Sequence, residues 1–148
     1  MKDIIEEVDG VVVECNTAYE GARNTTNKHQ KLMQEHGWNK YYQVDIMDSK
    51  DDITLEIPNG KIIKKDYVGT HLNNYKSMLV LSHFKGHPMG GFGGALKQLS
   101  IGVASSIDKG KDHLIERIKS RHGNHIIEAA AALKFGTKDY ELINIDNI

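Results

Sequence analysis

The stretch SMLVLSHFKGHPMGGFGGALKQLSIG, residues 77–102, holds six glycines, two histidines, two lysines and one of the two prolines in the chain. Its opening residues, 77–84, are apolar and partly β-branched and predict a buried strand. Residues 91–101 predict a helix. A strand that feeds a glycine-rich loop and then a helix belongs to an α/β arrangement, and in such arrangements the loop is a place where anions bind. Glycine lets a ligand approach the backbone because no Cβ intervenes. The first turn of the following helix offers unpaired N–H groups and a partial positive charge. Gly90, Gly91, Gly93 and Gly94 lie at or just before that turn, with Lys85 ahead of the loop and Lys97 about one turn into the helix. Both lysines are placed to neutralise an anion, Lys97 as a point charge. The loop is not a Walker motif, because Ala95-Leu96 stands where Lys-Ser/Thr would follow Gly94, and it lacks the third glycine of GxGxxG. Tight helix–strand packing is the other use of these glycines, but packing does not need the lysines.

Outward from this stretch the chain alternates strands and helices. VVVEC, residues 11–15, predicts a buried strand. Residues 22–36 predict a helix stopped by Gly37. YYQVDIM, residues 41–47, has the period of a half-buried strand. ITLEIPNGKIIKK predicts a β-hairpin with arms at 53–57 and 61–65 and its tip at Asn59-Gly60, where a two-residue turn needs positive φ. Helices at 111–120 and 124–135, the second capped by Asn124 and ended by Gly136, and a strand at 139–145 complete the reading. The expected fold is a single α/β domain over residues 1–148, a mixed β-sheet with flanking helices and one hairpin.

Composition agrees. A chain of 148 residues with 39% hydrophobic and 26% charged residues is globular rather than disordered. A net charge of −1 supplies no global field for nucleic acid or anionic membrane. No apolar run approaches the roughly 20 residues that span a bilayer, and the acidic start MKDIIEEVDG lacks the apolar core of a signal peptide. One cysteine, Cys15, gives no internal disulfide and no multi-cysteine zinc or iron–sulfur site from this chain alone. The expected setting is cytoplasmic, with no nucleic-acid and no membrane partner.

The histidines and the cysteine carry the remaining chemistry. His83 and His87 are four apart, but Gly86 and Pro88 oppose a regular helix there, so a metal pair is disfavoured and no metal site is expected. Either ring has a pKa suited to acid or base work near neutrality. The candidate catalytic residues are therefore His83, Lys85 and His87. His29 and His36 share a helix face as partly exposed packing residues. Cys15 reads as a small core residue, yet with Asn16 and Thr17 it marks a strand's C-terminal end, where α/β proteins place ligands. The candidate cofactor-binding set is Cys15, Asn16, Thr17, Gly90, Gly91, Gly93, Gly94 and Lys97.

The segment SHFKGHPMGGFGGALKQLSIGVASSIDKGKDH resembles the signature of the domain-of-unknown-function family numbered 362, which runs strand, His-Lys-Gly-His-Pro stretch, then GFGGA-x-K. VECNTAYEGARNTTNKHQKLMQEHGW, the Gly110-Lys111 pair with His113, and GNHIIEAAAALKFGTKDYELINID are also similar. Together they cover well over half of the chain. Cys15, Asn16, Thr17, Tyr19, Gly21, Arg23, His83, Lys85, His87, Gly93, Gly94, Lys97, Lys111 and His113 match family positions. The resemblance implies a central mixed sheet. Many members carry an inserted ferredoxin-like module with cysteine clusters; this chain has neither the cysteines nor the room between Lys111 and Asn124. No iron–sulfur cluster of its own is expected, and the cofactor stays unknown. A chain without that module exposes apolar surface that self-association would cover, so a homo-oligomer is expected.

These residues support two functions. One is an enzyme or cofactor-binding domain whose ligand is a small anion, a phosphate ester or a carboxylate, held by backbone N–H groups and lysines, with His83 or His87 moving protons. The other is a non-catalytic accessory or assembly domain that docks a partner or a redox protein through the glycine-rich stretch. The pairing of lysines with glycines favours the first.

Overall fold

The structure is a computed structural model that describes residues 2–58, 64–87 and 91–106. The expected helices at 111–120 and 124–135, the strand at 139–145 and the tip Asn59-Gly60 lie outside the described residues. Helix α1 (Lys2–Glu7) leads into strand β1 (Val12–Glu14). Helix α2 (Thr26–Glu35) then returns the chain to strand β2 (Val44–Ile46). β1 and β2 pair in parallel, Val12 opposite Val44 and Glu14 opposite Ile46. This is a βαβ unit, and its two strands end on the same side.

Helix α2 begins four residues later than the sequence pattern suggests. Thr25 is its N-cap, with an extended backbone and a side chain that accepts from the Lys28 N–H. A capping hydroxyl fixes the start more strongly than the polar residues ahead of it, which gain nothing by joining the helix. The end is as expected: Gly37 adopts φ 79°, the left-handed region where a Cβ is costly. α1 was not foreshadowed by any apolar stripe, and it buries no residue.

Strands β3 (Asp52–Glu56) and β4 (Lys65–Gly69) form the antiparallel hairpin. Their ladder puts Glu56 opposite Lys65, whereas a two-residue turn at Asn59-Gly60 would put Glu56 opposite Ile63. The described part of the second arm is therefore 65–69, two residues out of the expected register. Burial explains the shift: β4 places Asp66, Val68 and Gly69 in the interior, with Val68 fully buried and bridged to Ala104. Two short strands, β5 (Gly86–His87) and β6 (Gly91–Phe92), pair antiparallel, and helix α3 (Gly94–Ile101) comes next. The helix expected from Gly91 thus starts three residues later, because Gly91 and Phe92 are spent in a ladder with Gly86 and His87. Parallel and antiparallel pairs both occur, and the chain is a small mixed α/β fold.

Cys15, Met47, Val68, Leu72 and Val103 make the buried cluster, with Val13, Ile53, Leu55, Met78 and Leu99 packed against it. Residues 77–84 do not form the buried strand that their composition predicts. They are neither buried nor in a ladder: Leu79 is half exposed and Phe84 is 86% exposed. The segment has strand-forming residues, yet none of the three described sheets includes it. Among the described residues no helix is long and apolar enough to cross a membrane.

Candidate functional site

The β5–β6 reversal folds the glycine-rich stretch back on itself. Gly93 N–H donates to the Lys85 carbonyl at 3.0 Å, and the Gly93 carbonyl accepts from the Lys97 N–H at 3.3 Å. One glycine is therefore bonded through its backbone to both lysines. Gly93 is buried, and among the described residues no side chain caps α3. Gly94, the first helical residue, takes φ 54°, a left-handed conformation that a side chain would strain. Lys85 is exposed and Lys97 half-buried. Burial lowers the Lys97 pKa, and the Lys85 charge lowers it further. Two cations that feel each other at the start of a helix make a locus of positive potential. Ser82 Oγ donates to Gln98 Oε1 at 2.6 Å and ties the approach to this loop onto α3.

The other candidates fall differently. His83 is exposed. Gly90 and the His87 side chain lie outside the described residues, as do Lys111 and His113. Gly91 is in β6. Cys15, Asn16 and Thr17 lie at the end of β1, by the C-terminal end of α3, whose eight residues span roughly 12 Å. Their hydrogen bonds run to Val103, Asp48, Thr26, Arg23 and Tyr19, away from Lys85, Gly93 and Lys97. The glycine loop and the strand end are separate places.

At the strand end the structure builds a buried polar clasp. Asp48 follows β2 by two residues, as Asn16 follows β1, and Asp48 is fully buried. Asp48 Oδ1 accepts from the Asn16 N–H at 2.9 Å, and Oδ2 accepts from both the N–H and the hydroxyl of Ser106 at 2.8 Å. The Cys15 thiol is buried and donates to the Val103 carbonyl at 3.3 Å. Burial first, then the charges of Asp48 and Glu14, push this thiol well above its usual value, so it stays protonated and acts as a core residue. Thr17 donates from its hydroxyl to the Tyr19 carbonyl at 3.4 Å. Arg23 reaches Glu14 at 3.2 Å, yet burial still holds the Glu14 carboxyl above the usual range.

His29 is not a partly exposed packing residue but fully buried. Asn16 Nδ2 donates to Thr26 Oγ1 at 3.1 Å, which leaves Asn16 Oδ1 to accept from His29 Nδ1 at 3.2 Å. The hydrogen is thereby assigned to Nδ1, and Nε2 is a buried nitrogen without a partner among the described residues. His36, the C-cap of the same helix, is exposed. Burial lowers the His29 pKa, Arg23 lowers it further, and Asp48 opposes them. An unfolded His29 protonates near pH 6.5 while the folded one resists. The His29 contribution to stability is thus complete above about pH 6.5 and is lost as the pH falls below it. Urea unfolding at pH 7.5 and 5.0 should show a larger acid loss in the parent than in His29→Gln, which does not titrate; equal losses would reject the assignment.

A second group escaped the sequence reading. Asp45 Oδ1 pairs with His71 Nδ1 at 2.8 Å, and Asp45 Oδ2 accepts from the Tyr75 hydroxyl at 2.7 Å. Burial, then the bond to Asp45, push the Tyr75 phenol up, so it remains a donor. Neither Asp45 nor Asp48 stood out in one dimension. The available signal was position: Asp48 and Asn16 both fall just past parallel strands. Among the described residues no group of three His, Cys, Asp or Glu is gathered to hold a metal ion.

The model of one protein family, described as Domain of unknown function (DUF362), matches residues 1–148. No curated protein and no solved structure matches.

Proposed function

The chain belongs to the DUF362 family, and from that premise and the loop geometry we propose that it binds a small anion, a phosphate or carboxylate group, where Gly93 and Gly94 open α3. The observation that carries this reading is the double backbone bond of Gly93 to Lys85 and Lys97. Both lysines thus neighbour, along the backbone, a helix start that no side chain among the described residues caps, and Lys97 feels the Lys85 charge, which supports the reading. Backbone N–H groups would hold the anion's oxygens, and the lysines would neutralise its charge. In this reading His83 and His87, on either side of Lys85, are the residues to serve as acid or base.

Inorganic phosphate should raise the melting temperature more than chloride at matched ionic strength. Lys97→Met keeps the apolar stem and removes the charge. It should weaken phosphate binding by about 1–3 kcal/mol, the scale of a charge-assisted hydrogen bond, and leave the stability of the unliganded protein nearly unchanged. Phosphate stabilisation that is absent from the parent, or that survives intact in the variant, rejects the reading.

The second reading is a docking surface for a partner protein. Phe84, 86% exposed beside Lys85, favours it, since an exposed aromatic next to a cation is a common interface anchor.

A further inference from the structure

We infer that His71 is a general base that activates water against a carboxylic ester, with Asp45 and Tyr75 as its positioning residues. Asp45 is the middle residue of β2, opposite Val13 of β1. His71 lies in the short 3-10 helix Thr70–Asn74 that follows β4, and Tyr75 ends it. The backbone of this turn is bonded to its surroundings. The Thr70 N–H donates to the Asp51 carbonyl, the His71 N–H to the Met47 carbonyl and the Tyr75 N–H to the Leu72 carbonyl. Met47 and Leu72 belong to the buried cluster. Two elements anchored in the core therefore bring three side chains to one carboxylate, which is the rigidity a reactive group needs.

The carboxylate fixes the hydrogen. It only accepts, so the hydrogen in the 2.8 Å contact with Asp45 Oδ1 is on His71 Nδ1. The neutral ring then keeps its lone pair on Nε2, the atom that can take a proton. Asp45 Oδ2 is engaged as well, by the Tyr75 hydroxyl at 2.7 Å. Burial and that bond keep the phenol protonated. Tyr75 therefore braces the carboxylate and does not compete for the proton. Held at both oxygens, Asp45 stays aligned with the imidazole and stabilises the imidazolium that forms.

The His71 side chain is 22% exposed and that of Asp45 19%. Water reaches the ring, while the pair is enclosed enough for its hydrogen bond to gain from a lower local dielectric. The formal charge of the trio is negative, which repels a phosphate and favours a neutral electrophile. A carboxylic ester fits. Nε2 takes a proton from water as the water oxygen bonds to the carbonyl carbon. The acyl–oxygen bond then breaks, and the departing alkoxide takes a proton from the imidazolium. The products are a carboxylic acid, an alcohol and the neutral ring. None of Lys85, Gly93 and Lys97 takes part.

Ethyl dichloroacetate on the full chain tests this. It is a neutral ester whose leaving group is too poor for direct attack by imidazole, so its hydrolysis reads general-base catalysis. The parent should hydrolyse it about ten-fold or more faster than equimolar free imidazole, because the ring is positioned. The rate should fall in deuterium oxide, because a proton moves with the attack. His71→Gln should remove the excess and Asp45→Asn most of it, whereas His36→Gln, at an exposed histidine, should leave it unchanged. Nitrogen-15 spectra of the parent need no variant and should show His71 with Nδ1 protonated and Nε2 bare. A neutral ring that carries its hydrogen on Nε2 would overturn the inference. So would a parent no faster than a folded His71→Gln protein, which makes the trio a clamp on the turn. An acylated side chain caught by mass spectrometry would also overturn it, since the nucleophile would then be a protein group and not water.

Discussion

Gly69→Ala unfolds the domain at temperatures where the parent is folded. Gly69 ends β4 with ordinary extended angles, φ −59° and ψ 139°, so no conformational freedom is being used there. The constraint is space. A Cβ would lie 2.3 Å from the Met47 carbonyl carbon, 2.4 Å from its oxygen and 2.5 Å from the Asp48 nitrogen. All three are backbone atoms. They cannot swing aside, because the Met47 carbonyl accepts from the His71 N–H and the Met47 side chain is buried in the core. Overpacking commonly costs about 1–3 kcal/mol where side chains can adjust, and more where the backbone must move; Gly69→Ala belongs at or beyond the upper end. Gly37→Ala is the comparison, since its left-handed φ of 79° costs only about 1–2 kcal/mol and its nearest contact is the flexible Lys40 chain. Urea or thermal unfolding of both decides. A Gly69→Ala loss no larger than that of Gly37→Ala would show that β4 does not press on residues 47–48.

Asp48→Ala should be nearly as damaging for a different reason. It leaves the Asn16 N–H and both donors of Ser106 without their acceptor. Each buried donor left unsatisfied costs about 1–3 kcal/mol, and the terms do not add fully because water can enter the vacated space. A total loss of roughly 3 kcal/mol or more is the expectation. Asp48→Asn preserves shape and one acceptor, so it should fall between parent and Asp48→Ala. Ser106→Ala removes a single donor together with its need and should cost least. If Asp48→Ala unfolds at nearly the parent's urea midpoint, the clasp contributes little to holding 106 against the strand ends.

The elements that could be read in one dimension were those whose signal is local. Gly37 stops α2 because a left-handed residue is a property of that residue. VVVEC and YYQVDIM carry their period within a few positions, and the structure keeps β1 and β2 inside them. The density of glycine and lysine at 85–97 is visible without a fold, and in the structure the Gly93 backbone bonds to both Lys85 and Lys97. What escaped depends on distant partners. His29 looked like a surface histidine because its burial comes from Asn16 thirteen residues earlier and from the packing of α2. Asp48 gave no sign because its donors lie 32 residues before it and 58 after it. The hairpin register was misread for the same reason, since the burial of Val68 against Ala104 outweighs a local turn preference.

The bond from the Cys15 thiol to the Val103 carbonyl spans 88 residues, against 32 for the clasp between Asn16 and Asp48. By loop-closure scaling the longer reach adds only about 1 kcal/mol of entropy at equilibrium. Its consequence is temporal. A ribosome that releases β1 early must make most of the described chain before Val103 exists, so during synthesis the thiol and the core cluster that Val103 completes are left waiting for residues still inside the tunnel. Apolar surface left uncovered that long is the part of a nascent chain that chaperones engage and that aggregates first.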